Sequence, residues 1–148
     1  MSQTDYAAAL AAAQQLNEYD NQTLTRELGL RVEDANLPGG DVRKQAFQAD
    51  FVDTSPTQGW ETIEEVGRRF LRNLEDQTME FICPKDNAER DKLLSGHSIP
   101  EVAAALATTG LIAVLATPPA WAIVVATVVA RKIAKAGIDA CCQVYYKK

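Results

Sequence analysis

The chain has 148 residues, of which 47% are hydrophobic, with a formal charge of −5 and a pI near 4.9. That length suits about one domain with a real core, and the acidic balance argues against a broad basic surface for nucleic acid. Cys83, Cys141 and Cys142 make an odd number of cysteines that does not resemble a secreted disulfide framework.

The opening MSQTDYAAAL lacks a basic run and carries Asp5, so it does not read as a signal peptide, and the cytoplasm is the default location. Residues 4–18 are helical by propensity, with Thr4 as cap and Asp5 in the first turn. Tyr6, Leu10, Ala13 and Leu16 give this helix only a thin apolar stripe. A second short helix is expected over 21–28, ended by Gly29, and a loop over 31–40 through Asn36, Pro38, Gly39 and Gly40. Asp41 is placed to cap a short helix reaching Phe51, with Val42, Ala46 and Phe47 inward. Residues 54–59 read as a linker. The first 55 residues are therefore expected to form a loosely docked N-terminal helical arm, and residues 56–148 a helical bundle.

The stretch LGLRVEDANLPGG, ending in Gly39-Gly40, resembles the double-glycine leader of exported bacterial peptides, which is removed after the second glycine. Glu33 and Leu37 carry the resemblance, whereas Asp34 stands where such leaders hold an apolar residue. The resemblance implies processing at Gly40 and an exported remainder. Read locally, the same residues are a Pro-Gly-Gly turn.

From about Thr57 to Ile82, Trp60, Ile63, Val66, Phe70, Leu74, Thr78 and Phe81 recur every three or four residues, and Leu71 broadens the face. Glu64/Arg68 and Glu65/Arg69 form a solvated lattice along this helix. Pro84 ends it. A short helix over 86–94 follows, with Asp86 or Asn87 as cap, and Ser95-Gly96 closes it. Ser98, Pro100 and Glu101 have the spacing of a capping box.

The longest apolar segment is the 29 residues from Val102 to Ala130, which contain no charged side chain. Pro118-Pro119 divides it into two expected helices, Pro100 to Ala116 and Pro119 to Ala136, joined by a tight turn. At about 25 and 27 Å the arms fall slightly short of a bilayer core. Two environments fit this hairpin: the core of a bundle, or a membrane. After Gly137, a tail puts Ile138, Cys141, Cys142 and Tyr145 on one apolar side, and Arg131, Lys132 and Lys135 form a basic patch at the end of the second arm. These bases complement a helix C-terminus or anchor an inserted segment on the anionic side.

Chemistry-bearing groups are sparse. His97 is the lone histidine and has no evident catalytic partner. Cys141-Cys142 lacks the usual metal or redox spacing, so the cysteines are expected to be free and packed as small apolar residues. Cys83 meets one of them, in a disulfide or a three-thiol metal site with His97, only if the long helix and the tail end together. No cofactor or metal is implied.

The expected fold is thus all-α, a small helical bundle with a C-terminal apolar helical hairpin. The leading function is a non-enzymatic interaction or regulatory protein acting by hetero- or self-association. Its contact candidates are Trp121, Ile123, Val124 and Val128 on the hairpin and Tyr6, Leu10 and Leu16 on the arm. The alternatives are a membrane-active protein whose hairpin inserts into or permeabilises a bilayer, and a small enzyme with an unrecognised site.

Overall fold

Helix α4 (Trp60–Ile82) and helix α2 (Asn21–Asp34) cross backbone to backbone. The computed structural model describes residues 3–48, 50–51, 59–94 and 97–146, and among them every regular element is a helix. Gly29 and Gly67 make the crossing. A Cβ on Gly29 would run into the Ile63 carbonyl oxygen, and one on Gly67 into the carbonyl oxygen of Thr25. Gly29 therefore does not end α2, which continues to Asp34. The glycine is there for close approach, not as a helix stop.

The long amphipathic helix has nearly its expected bounds. Ile63, Gly67, Leu74, Thr78 and Ile82 are buried along it, whereas Trp60 lies outside the core, 48% exposed, with the Arg26 guanidinium 5.1 Å from its ring centroid. The Glu64/Arg68 and Glu65/Arg69 pairs form on its surface, and Arg26 of α2 reaches across to Glu64.

Helix α1 (Gln3–Leu16) buries Ala9, Ala12, Ala13 and Leu16 against the hairpin. Helix α1 shares one core with the hairpin through its alanine face, which lets the helix axes approach, and α2 adds Leu24 and Leu28 to the same core. Between α2 and the short helix α3 (Gly40–Arg43), Gly39 adopts φ +79° and Gly40 is packed under the Asp34 and Ala35 backbone. Arg43 clips this turn, donating to both Asp34 carboxylate oxygens at 2.7 and 2.9 Å and to Pro38 O at 3.0 Å. The glycine pair thus has a structural cause in the Pro-Gly-Gly turn.

The helix expected from Asp41 to Phe51 stops at Arg43, and Val42 is 77% exposed. Ala46 also faces solvent, and only Phe47 packs on the core. The cause is that the carbonyls beyond Arg43 serve distant partners. Lys44 O accepts from the Ala120 N–H at 3.0 Å, and Gln48 O and Asp50 O accept from the Arg31 guanidinium at 2.7 and 3.4 Å. Most of the expected 54–59 linker, and Ser95-Gly96, lie outside the described residues.

Helix α5 (Asn87–Leu94) is capped by Asp86, which accepts the Glu89 N–H at 2.8 Å. Helix α6 (Ile99–Ala105) opens with the expected capping box: Ser98 N–H donates to Glu101 Oε1 at 3.0 Å, and Glu101 N–H to Ser98 Oγ at 3.3 Å. Ser98→Ala should cost about 1 kcal/mol in urea unfolding at neutral pH. The Ser98 backbone N–H, with the Ser98 hydroxyl second, holds the Glu101 carboxyl below its usual range. That stabilisation is full above the unfolded value of about 4.3 and is lost as pH falls through the lower folded value. The stability gap between the native chain and Glu101→Gln should therefore close in acid.

The first hairpin arm changes character at Leu106. From Leu106 to Ile112 it is a π-helix, with wider i→i+5 turns, and the Thr108 and Thr109 hydroxyls donate to Ala104 O and Ala105 O at 2.9 and 2.6 Å. Regular helix ends there instead of at Ala116, which takes φ +55° in the turn. Pro119 opens α7 (Pro119–Ala136), as the two prolines require. Helix α7 is the buried centre of the protein: Ala120, every residue from Ala122 to Ala130, and Ile133 are shielded by α1, α2, α4 and α6. Gly137, at φ +88°, breaks the chain before the last helix, α8 (Ile138–Tyr146). Among the described residues no helix is long and apolar enough to cross a membrane.

Candidate interaction groove

The residues chosen from the sequence as contact candidates are mostly inside the protein. Ile123 and Val124 are wholly buried, Val128 is 1% exposed, and Leu16 is wholly buried; all belong to the chain's own core, so they offer no free surface. Their burial has a physical reason. The apolarity of the second arm is met by α1, α2 and α4, whose proximity depends on the glycine crossing and on alanine faces that carry no strong periodic signal. Tyr6 and Leu10 are half-buried against the same core. Trp121 is also half-buried, its indole N–H donating to Arg31 O at 3.3 Å and its ring edge-on to Phe70 at 5.5 Å.

The basic patch is divided in the same way. Arg131 binds the end of α1 and the start of α2, donating to Asn17 Oδ1 at 2.9 Å, Asn17 O at 2.6 Å and Asn21 Oδ1 at 3.0 Å. It thereby satisfies carbonyls at a helix C-terminus. Burial lowers its pKa, and the Asp20 charge partly restores it. Lys132 pairs with Glu75 on α4 at 2.7 Å. Lys135 is exposed and has no ion pair among the described residues.

Lys132 and Lys135 border a half-open groove of about 340 Å³ between α4, α7 and α8. Met79, Val129 and Ile133 form its apolar floor, and Ala140, Val144 and Tyr145 its α8 side. Glu75 and Asp76 stand on the α4 rim, opposite the two lysines. Val144 and Tyr146 of α8 are 61% and 62% exposed beside it. The groove combines a large apolar share with charges of both signs at its edge. The sequence hint was the apolar tail after Gly137, and only the return of that tail onto α4 creates the cleft.

That return is covalent. Cys83, the residue ending α4, is disulfide-bonded to Cys142 of α8, with Cα atoms 5.5 Å apart across 59 positions of sequence. The expectation of free packed cysteines is corrected for these two, since α4 and the tail do end together. Cys141 keeps its thiol and lines the groove, 3.8 Å from Lys132 O. Burial pushes that thiol up, more than Lys132 draws it down, so it is a poor nucleophile at neutral pH. The expected encounter of Cys83 with the tail is a disulfide, and among the described residues no group of three or more His, Cys, Asp or Glu could hold a metal ion. His97 sits 3.6 Å from the Glu101 carboxylate at the edge of a second cleft, of about 280 Å³, lined also by Asp91, Leu94 and Ile138.

Compared with known proteins, the chain matches no family model, no curated protein and no solved structure.

Proposed function

We propose that this is a non-enzymatic interaction protein that works by association through the α4/α7/α8 groove, with a second copy of the chain as the occupant. The observation that carries the reading is the groove's self-complementarity. Its α4 rim is acidic, through Glu75 and Asp76, and its α7 rim basic, through Lys132 and Lys135. The adjoining α8 offers the exposed apolar side chains Val144 and Tyr146. Two copies related by a two-fold axis bring the same patch to itself, so each α8 meets an apolar floor, with the Lys132–Glu75 pair of each chain and Lys135 at its edge. Lys135, which has no ion pair among the described residues, then gains a carboxylate partner. Burial of a contiguous apolar patch supplies the driving force, and the charged rims fix the register.

Size-exclusion chromatography with light scattering tests this on the full chain, whose monomer mass is 16.1 kDa. The native protein is expected at twice that mass at micromolar concentration. Ala140→Glu places a carboxylate in the groove from an exposed α8 position, and it should return the protein to the monomer mass with unchanged far-UV circular dichroism. A native chain that stays monomeric up to 1 mM, as an order-of-magnitude limit for specific association, would rule the reading out.

A further inference from the structure

Helix α8 has little of its own to hold it in place. Of its nine residues, Ile138 to Tyr146, only Cys142 is buried. Ile138, Cys141 and Tyr145 are half-covered, while Asp139, Ala140, Gln143, Val144 and Tyr146 face water. A helix this short is marginal without tertiary support, since isolated helices under about 12 residues seldom persist in water. Gly137 stands at φ +88° with open space where a Cβ would sit, and two backbone hydrogen bonds, its N–H to Ile133 O at 2.8 Å and the Cys141 N–H to its carbonyl at 3.2 Å, hold this pivot before α8. Besides the disulfide, α8 is held by the packing of Ile138 and Cys141 on the edge of the core, an ion pair of Arg90 with the 83% exposed Asp139 at 3.5 Å, and the weak contact of the Cys141 thiol with Lys132 O. The disulfide lies five positions beyond the pivot and fixes α8 to the end of α4.

We propose that the Cys83–Cys142 bond is a redox latch: oxidised, it holds α8 in place as one wall of the groove, and reduced, it lets α8 swing out on Gly137 and dismantles that wall. The chemistry is thiol–disulfide exchange with a dithiol reductant. One thiolate of the reductant attacks a sulfur of the bridge, forming a mixed disulfide and releasing one cysteine thiolate. The second thiol of the reductant then displaces the other cysteine. Two electrons and two protons pass to Cys83 and Cys142, and the dithiol ends as its own disulfide.

Both sulfurs belong to buried residues, with Cys83 2% and Cys142 4% exposed. Reduction therefore needs a local opening around the bridge and does not occur on the closed surface. A disulfide in a reducing compartment is usually a transient or sensing one, and a latch of this kind makes the thiol poise of the surroundings the input. Its consequence for assembly rests on the self-association reading, because α8 supplies both a wall and the exposed Val144 and Tyr146.

Amide hydrogen exchange on the full chain, with and without dithiothreitol, tests the latch itself. Reduction is expected to speed exchange over residues 138–146 by tenfold or more while residues 122–130 stay protected. Cys142→Ser should show the same pattern without reductant. Cys141→Ser, which retains the bridge, should exchange as the native chain does. If residues 138–146 keep their protection both in dithiothreitol and in Cys142→Ser, packing holds α8 and the latch is wrong, whatever the assembly state. Light scattering on the same samples separates the two readings. Loss of the dimer on reduction supports both. A monomer in both redox states, with α8 loosened only on reduction, keeps the latch and removes the self-association reading.

Discussion

Gly67→Ala should lower the unfolding free energy by about 3 kcal/mol, the upper end of the usual overpacking cost. The new methyl carbon would overlap the Thr25 carbonyl oxygen and lie 3.2 Å from the Gly29 amide nitrogen. Both are backbone atoms of α2, so no side chain can rotate away. The helices must separate, and that separation reaches the packing of α2 on α7 and the Arg26–Glu64 pair. Helix propensity alone gives the opposite sign, because alanine exceeds glycine by about 1 kcal/mol in a helix interior. The sign of the change in urea midpoint therefore decides between local and tertiary control. A midpoint at or above that of the native chain would mean that α2 and α4 do not touch at this crossing.

Arg31→Met should be at least as costly, at about 3–5 kcal/mol, the range for breaking a buried charge pair. The Arg31 and Glu27 side chains are 1% and 0% exposed and 2.9 Å apart. The guanidinium also donates to Ala120 O at 2.8 Å and to Gln48 O at 2.7 Å, so one side chain ties α2 to the first turn of α7 and to the segment after α3. Burial pulls its pKa down and the Glu27 carboxylate pulls it back up. Methionine keeps much of the volume but removes the cation beside a buried carboxylate and three donor contacts. Lysine does not rescue it, since a single ammonium cannot span the fork of partners that a planar guanidinium reaches. Arg31→Met combined with Glu27→Leu should recover part of the loss, as replacing both members of a buried pair often does. Thermal unfolding of the three variants measures this. Equal melting temperatures for the native chain and Arg31→Met would show that the pair contributes nothing.

What could be read from the sequence was whatever depends on near neighbours. Ser98 and Glu101 announce their capping box because both partners lie within one turn. The bounds of α7 follow from Pro118-Pro119 and Gly137, and α4 from its unbroken stripe. Gly29 was misleading because glycine has two uses in a helix, ending it or admitting a neighbour, and only the facing Gly67 selects between them. The Asp41–Phe51 helix failed for a related reason: its carbonyls were committed to Ala120 and Arg31, residues far along the chain. Nor does any local pattern mark the π-helix. The groove was legible only as an apolar tail, since its α8 side meets α4 across 59 positions of sequence.

The hydrogen bonds from Arg131 to Asn17 and Asn21 also set an order of events during synthesis. They join positions 114 and 110 residues apart. When α1 and α2 leave the ribosome, the helix that they must cover has not yet been translated. Ala9, Ala12 and Leu16 remain undocked until α6 and α7 follow, so the first helices gain lasting structure only late. Contacts of such long sequence separation slow folding and leave apolar surface uncovered in the interval. The emerging hairpin is at greatest risk of aggregation then, and an N-terminal segment already waiting beside it shortens that exposure.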